Sequence, residues 1–339
     1  MLTYILRRLL LMVVTMFMIT FIIVSIMLLT PGEPGQLNEM GPGTGPGGST
    51  NIQASKGMIL AKMEMGFFDA NGDKLPPWTA WWNWVGKFAS FDLGKSAMYH
   101  MPVTELLLER VPVTLLLNTI SLLIIYLISL PLGIFSATHQ NTLADSTSST
   151  VLFVLYSMPN WWVATMLIVC FASVNLFDWF DVDGLHAIGS ERFTLFEYLW
   201  DSGKRMILPV ICLVYGSFAY LSRQMRTGML DVVRQDYIRT ARAKGLDDRT
   251  VIYRHALRNA LIPIITLVAF LLPAMLGGSI IIELIFSIRG MGLLGFEAIL
   301  NRDYLVVMAN LTVAAVLTLV GILGSDLLYC MVDPRISLD

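Results

Sequence analysis

Six long apolar segments without an acidic, basic or histidine residue constrain this chain more than any other feature. The first, at 9–29, has 21 residues and follows Arg7 and Arg8. As a helix with a rise of about 1.5 Å per residue it would be roughly 30 Å long, the thickness of the hydrocarbon core of a bilayer. The others are 113–136, 148–173, 207–222, 261–282 and 305–325. The pattern predicts an all-α membrane protein with six transmembrane helices.

The amino-acid composition supports this prediction and argues against other classes. Hydrophobic residues make up 55% of the 339 residues and charged residues only 14%, unlike a soluble globular domain. The formal net charge of -2 gives no indication of a nucleic-acid partner. Three widely separated cysteines, Cys170, Cys212 and Cys330, form no Cys-x-x-Cys or Cys/His pattern. We therefore expect neither a disulfide framework nor a metal site.

The distribution of basic residues predicts which side of the membrane each loop occupies. The segment at 9–29 is longer than the core of a secretory signal and runs into a Pro/Gly-rich sequence, which indicates a retained first helix. With six spans, both termini lie on one side of the membrane. Outside the long loop at 31–112, that side carries twelve lysines and arginines and the other side five. The positive-inside rule therefore places both termini in the cytoplasm.

The long loop after the first span divides by composition. Residues 41–50, GPGTGPGGST, have the character of a flexible linker. The stretch at 76–96 is rich in tryptophan. Its four tryptophans are Trp78, Trp81, Trp82 and Trp84. They would form either an aromatic belt on the outer lipid headgroups or a contact face for an extracytoplasmic binding protein, and we favour the belt.

A polar, basic segment from Asp236 to Pro263 interrupts the apolar pattern between the fourth and fifth spans. Its first half contains good helix formers, and Gly245 can supply the left-handed residue that ends a helix. Asp247 can then cap a second helix and place negative charge at the positive end of its dipole. Two short helices that meet at a glycine would form a compact protrusion on the cytoplasmic side.

The sequence RTARAKG, from Arg239, followed by HALRNALIP, from His255, resembles the cytoplasmic loop of inner-membrane permease subunits of ATP-binding-cassette importers. That family carries a signature of Glu-Ala-Ala, three residues and Gly, which corresponds here to Arg239, Thr240, Ala241 and Gly245. Arginine therefore stands where the family has an acid, as in the dipeptide, oligopeptide and nickel branch. The sequences FDLGKS at 91–96, FSIRGMGL at 286–293 and RDY at 302–304 resemble further elements of that branch.

The resemblance implies a type I importer permease fold with a long extracytoplasmic loop after the first helix. It divides the chain into an N-terminal tip with the first helix (1–30), the loop (31–110), a five-helix transport core (111–329) and a cytoplasmic tail (330–339). The core includes a cytoplasmic coupling loop at 223–260. The expected location is the bacterial inner membrane, with the chain crossing it several times in contact with lipid.

The resemblance also implies partners and a set of coupling residues. A second permease subunit would complete the translocation path, two ATPase subunits would grip the loop and use ATP, and an extracytoplasmic binding protein would deliver a short peptide. A nickel chelate, a sugar and a peptide-like antibiotic stay open as substrates. The chain itself would bind no cofactor. The residues expected to dock or couple are Tyr237, Arg239, Thr240, Ala241, Gly245, His255 and Asn259.

A proline inside the third span indicates a kink. Ser157, Met158, Pro159 and Asn160 stand in the middle of the segment at 148–173. A proline frees a backbone carbonyl, which a membrane tolerates only beside other protein or a water-lined path. These four residues could therefore line a translocation path, although a kink that only serves packing is an equal alternative.

Several motifs resemble nucleotide-binding or calcium-binding sites but lack the residues or the structural context that such sites need. Two Gly-x-Gly-x-x-Gly matches, at 43–48 and 290–295, lie in predicted outer loops rather than between a strand and a helix. Asp69, Asn71 and Asp73 resemble the start of a calcium loop but lack its turn glycine and its glutamate, so we expect a surface turn. No Walker A lysine motif occurs. The alternatives to a permease subunit are a self-sufficient channel or an intramembrane enzyme.

Overall fold

A computed structural model describes residues 2–30, 65–69, 71–173, 176–187, 193–265, 267 and 278–332. Within these ranges every named regular element is helical, and extended pairing is limited to two isolated bridges, Phe68 with Lys74 and Lys95 with Pro102. The all-α prediction is therefore confirmed for the described part of the chain.

The helices are numbered here in chain order. The first six are α1 (Leu2–Leu29), α2 (Pro77–Ala89), α3 (Val103–Thr138), α4 (Leu143–Ser157), α5 (Asn160–Phe171) and α6 (Leu195–Val233). They are followed by α7 (Asp236–Ala243) and by α8, which covers 248–260. The last three are α9 (Ile280–Ile285), α10 (Met291–Leu300) and α11 (Tyr304–Val332).

Four of these helices are long and apolar enough to cross a membrane. They are α1, α3, α6 and α11, and α4 with α5 would make a fifth span if the bent pair crosses the membrane once. Half of the predicted span at 261–282 lies outside the described residues. Its end is not one continuous helix, because Ser279 is extended and α9 begins at Ile280. The prediction of six helices is therefore confirmed only as four or five spans among the described residues.

The kink predicted in the third span is a complete break. Helices α4 and α5 meet at an angle of 95°. Met158 and Pro159 between them are extended, as expected for a residue before proline and for a proline that begins a helix. The hydroxyl of Tyr215 in α6 donates a 2.8 Å hydrogen bond to the carbonyl oxygen of Met158. A partner on another helix thus satisfies a backbone group at the break, as a membrane requires.

The described chain divides into two compact units. The first combines residues 2–113 with 290–320, and the second combines 114–289 with 321–332, apart from the undescribed positions. In the first unit Lys74 donates from Nζ to the carbonyls of Leu28 and Thr30 at 2.7 and 2.8 Å. The lysine thereby satisfies carbonyls that the end of α1 leaves unpaired.

The four tryptophans of α2 differ in burial and do not form one exposed surface. Trp81 and Trp84 are 5% and 1% exposed, whereas Trp78 and Trp82 are 58% and 49% exposed. The indole nitrogen of Trp81 donates to the hydroxyl of Thr20 in α1 at 3.0 Å. The indole nitrogen of Trp84 likewise donates to a threonine hydroxyl of α11, at 3.3 Å. The interpretation of all four as a belt or contact face is therefore wrong for the two buried ones, which form the core of this unit.

The sequence FDLGKS at 91–96 has a structural role in the same unit. Asp303, which is 2% exposed, accepts a 2.6 Å hydrogen bond from the Ser96 hydroxyl and a 3.1 Å bond from the Met98 amide. Gly94 has φ +79°, and a Cβ atom there would lie 2.8 Å from Leu305 Cδ1. The two sequence elements noted at 91–96 and 302–304 therefore contact each other and join the loop before α3 to the start of α11.

We expect Asp303→Ala to destabilise the first unit. The change removes the acceptor of two donors in a buried position, and each donor left unsatisfied costs about 1–3 kcal/mol. Asp92→Ala is the control, because Asp92 is an exposed aspartate of the same loop. Thermal unfolding of the purified protein in detergent measures the difference. Equal melting temperatures for the two variants would contradict the assigned role of Asp303.

In the second unit α3 and α6 approach each other closely at a glycine. A Cβ atom on Gly133 would lie 2.5 Å from Met225 Cβ and 2.6 Å from the carbonyl oxygen of Ser222. Small residues permit such close contact between membrane helices. Beyond this crossing, α6 continues towards α7 and carries a buried apolar row that includes Met229 and Val232.

Candidate functional site

Helix α7 is amphipathic and fixes the orientation of the predicted coupling loop. Ile238 is fully buried and Ala241 is 9% exposed, and both belong to a core cluster that includes Met225 of α6 and Val251 of α8. Arg239 and Thr240 lie on the exposed side. The methyl group of Ala241 therefore packs inside the loop, and a part for this residue in docking or coupling stays a prediction.

Gly245 ends α7 in the predicted left-handed conformation. Its φ is +80°, its amide donates to the carbonyl of Arg242, and the amide of Leu246 donates to the carbonyl of Ala241. This pair of bonds is a Schellman motif, which satisfies the last carbonyls of the helix. A Cβ atom on Gly245 would have no neighbour within 4 Å. The turn is therefore both sharp and open at its surface.

Asp247 caps α8, as the sequence predicts. Its carboxylate accepts a 3.1 Å hydrogen bond from the Thr250 amide, and the hydrogen bonds from Thr250 lower the pKa of Asp247. A carboxylate with a lowered pKa in the folded protein stabilises the fold at neutral pH. That contribution is lost as the pH falls through the lowered pKa.

Helix α8 contains a π-helical turn that the sequence did not reveal. It begins as an α-helix at Asp248–Thr250, continues as a π-helix at Val251–Ala256 and ends as an α-helix at Leu257–Ala260. Val251 and Ala256 are fully buried, while His255 is half-buried. Such turns are frequent at functional sites.

A hydrogen bond joins the two halves of the loop. The side-chain amide of Asn259 in α8 donates to the hydroxyl of Tyr237 in α7 at 2.7 Å. These two predicted coupling residues are 22 positions apart and are brought together by the turn at Gly245. With the buried cluster beneath them, they make α7 and α8 one packed element.

The exposed side of α7 carries two arginines that are paired with nearby aspartates. Arg242 lies 3.2 Å from Asp248, and Arg239 lies 3.5 Å from Asp236. Exposed pairs of this kind contribute little to stability. The exposed side of α7 therefore presents arginines beside Leu246, which is 41% exposed.

The residues at the break between α4 and α5 border two cavities of the second unit. Met158 and Asn160 line a cavity of about 920 Å³. The other side of this cavity includes Gly216, Ser217 and Tyr220 of α6. Ser157 and Pro159, together with Met158, line a neighbouring hollow of about 520 Å³. Of the four predicted path residues, Met158 and Asn160 thus face the larger space.

A buried ion pair near the start of α4 escaped the sequence analysis. Asp145, which is 5% exposed, accepts hydrogen bonds from Arg226 Nε at 3.2 Å and Nη2 at 2.9 Å. The hydroxyl of Ser136 in α3 also donates to this carboxylate. The cluster joins α3, α4 and α6. Its members are separated by up to 90 positions in the chain, so no local pattern indicates it.

Comparison with known proteins supports an assignment to a family. Residues 129–338 match the family described as binding-protein-dependent transport system inner membrane component. The chain belongs to this family. Most of the described second unit, including α7, Gly245 and α8, falls within the matched range. As a family member, the chain is a permease subunit of a binding-protein-dependent importer and crosses the inner membrane several times.

Two relatives match this permease over nearly their whole length. The oligopeptide transport system permease protein AppB of Bacillus subtilis is 37% identical, and the match covers 98% of this chain and 99% of AppB. The dipeptide transport system permease protein DppB of Alkalihalophilus pseudofirmus is 34% identical, with 99% and 100% covered. These relatives place the permease in the peptide branch that the sequence RTARAKG indicates.

A solved structure shares the fold. The inward-facing MetNI methionine ABC transporter matches with a TM-score of 0.51 and 16% sequence identity. The match covers 67% of this chain and 96% of the solved chain. At this identity the likeness supports the fold alone.

Proposed function

We propose that this permease forms half of the translocation path of an ATP-driven importer for short peptides. The observation that carries the proposal is the packed element made by α7 and α8. Its apolar side, with Ile238 and Val251, is buried in the same cluster as the end of α6, while Arg239 and Leu246 are exposed. An element fixed in this way can transmit movement of a bound partner to a membrane helix.

The partners of this permease follow from the family and from the shape of the loop. A second permease subunit would complete the path, and two ATPase subunits would bind the exposed side of α7 and supply the energy from ATP. An extracytoplasmic binding protein would deliver the substrate. The transport core would extend over 111–329, with both termini in the cytoplasm. The oligopeptide and dipeptide names of the two relatives support peptides as the substrate class.

The large cavity beside the broken helix supports the position of the path. Met158 and Asn160 on one side and Ser217 on the other line about 920 Å³, a volume in the range of roughly 300–1,000 Å³ that small-molecule sites occupy. Broken membrane helices commonly border substrate sites in transporters. We therefore assign Met158 and Asn160 to the path, and Ser157 and Pro159 to the bend that positions them.

Peptide uptake by reconstituted vesicles tests this function. The complete importer, with both permeases, the ATPases and the binding protein, is placed in proteoliposomes that contain ATP. We expect uptake of a labelled dipeptide or tripeptide that requires both ATP and the binding protein. Uptake by this chain alone, without ATPase subunits, would contradict the proposal and favour a self-sufficient channel.

A further inference from the structure

A second cavity lies in the same unit, beside the proposed path. It has a volume of about 360 Å³ and is bordered by α3, α4 and α6. Tyr156 and Tyr220 line both this cavity and the larger one, so the two spaces adjoin. The smaller cavity lies towards the end of α6 that leads into α7, because Arg223 and Arg226 line it.

The charges of this cavity do not cancel. Arg226 is paired with Asp145, because its guanidinium group donates two hydrogen bonds to the buried carboxylate. Arg223 has no ion-pair partner among the residues that the structure describes, and its side chain is exposed. The cavity therefore carries one net positive charge, and that charge is at Arg223.

The remaining lining suits an amphipathic anion. Ser149 and the two shared tyrosines supply hydroxyl groups, while Leu152 and Phe153 supply apolar surface. A guanidinium group binds a carboxylate through two parallel hydrogen bonds, and neighbouring hydroxyls can donate further bonds to the same group. An anionic group with an apolar part beside it fits this combination.

We propose that Arg223 binds the terminal carboxylate of a peptide in transit, at the end of the path next to α7. This inference rests on the proposed function and adds a recognition residue to it. The carboxylate is favoured over a lipid phosphate because the cavity adjoins the proposed path through Tyr156 and Tyr220. A peptide held by Met158 and Asn160 would lie next to the cavity of Arg223, with Tyr156 and Tyr220 on the border between the two spaces.

The experiment compares two substrates in the reconstituted importer. One is a tripeptide with a free carboxylate, and the other is the same tripeptide as its C-terminal amide. Uptake of both is measured for the wild type, Arg223→Gln and Arg223→Lys with the same binding protein. Any preference of the binding protein cancels when the acid-to-amide ratio of a variant is divided by that of the wild type.

We expect Arg223→Gln to lower the acid-to-amide ratio by about tenfold, since a charge-assisted hydrogen bond is lost only for the acid. Arg223→Lys keeps the charge and is expected to recover part of the ratio. Arg234→Gln removes an exposed arginine that does not line the cavity and should leave the ratio unchanged. An unchanged ratio in Arg223→Gln, or an equal loss of both substrates, would overturn the inference.

Two further arms separate the possible failures. The assay is repeated in vesicles of phosphatidylcholine with and without phosphatidylglycerol. An effect of Arg223→Gln that occurs only with phosphatidylglycerol would identify a lipid phosphate as the bound group and overturn the carboxylate assignment. Wild-type vesicles that take up neither peptide would refute the proposed function as well. Wild-type uptake with an unchanged variant ratio would refute the role of Arg223 alone.

Discussion

Gly133→Ala is expected to destabilise the second unit strongly and to lower its melting temperature. The added methyl group would lie 2.6 Å from the backbone carbonyl oxygen of Ser222 and 2.5 Å from Met225 Cβ. Neither atom is the flexible end of a side chain, so α3 and α6 would have to separate. Overpacking of this kind typically costs about 1–3 kcal/mol, and a clash with backbone belongs at the upper end.

Size-exclusion profiles and melting temperatures of the purified variants measure this effect. Gly203→Ala is the matched control, because Gly203 lies in α6, the helix that Gly133 of α3 contacts, and a Cβ atom there would have no neighbour within 4 Å. Alanine is a better helix former than glycine, so this control should be neutral or slightly stabilising. If the Gly133→Ala protein had the same melting temperature as the wild type, α3 and α6 would not cross as described.

Gly245→Trp is expected to abolish association with the ATPase subunits while the chain still inserts into the membrane. Gly245 has φ +80°, which strains any residue with a Cβ atom. An indole at this open turn would also cover the surface beside Leu246 and the exposed side of α7. The loss arises at the loop, because the Gly245 Cβ position contacts no other part of the described chain.

Gly245→Asn separates the two causes of that loss. Asparagine tolerates the left-handed conformation better than other residues with a side chain, and its small side chain would leave the docking surface open. We therefore expect Gly245→Asn to retain most ATPase association, measured by co-purification from membranes. If Gly245→Trp associated normally with the ATPase subunits, the assignment of this turn to docking would be wrong.

The sequence predicted local structure well where one short segment determines it. Gly245 is left-handed and Asp247 caps a helix because both outcomes depend on neighbouring backbone groups. The apolar segments likewise predicted the long helices, since a long uncharged apolar segment is typical of a helix that crosses a membrane. The break at Pro159 was predicted in position but not in size. At this 95° break the hydroxyl of Tyr215, which lies 57 positions away in the chain, bonds to the carbonyl oxygen of Met158, and a local pattern does not indicate so distant a partner.

The features that the sequence did not reveal all depend on contacts between distant segments. Trp81 and Trp84 are buried, and Thr20 and Thr312 accept their indole hydrogens. Trp78 and Trp82 are the same residue type in the same helix but are exposed. The pair of Asp145 and Arg226 spans 81 positions. Ala241 matches the family signature, but only packing against α8 shows that its methyl group is internal. The candidate cavity at Arg223 likewise needs three helices to form.

One measurement tests the central claim most directly, namely that α7 and α8 couple this permease to separate ATPase subunits. A photoreactive amino acid is placed at Arg239, on the exposed side of α7, in native membranes, and the products are identified by mass spectrometry after irradiation. The account predicts a cross-link to a protein with Walker motifs, and recovery of a second permease in the same complex. Cross-links to lipid or to further copies of this chain, with no ATPase, would contradict the account.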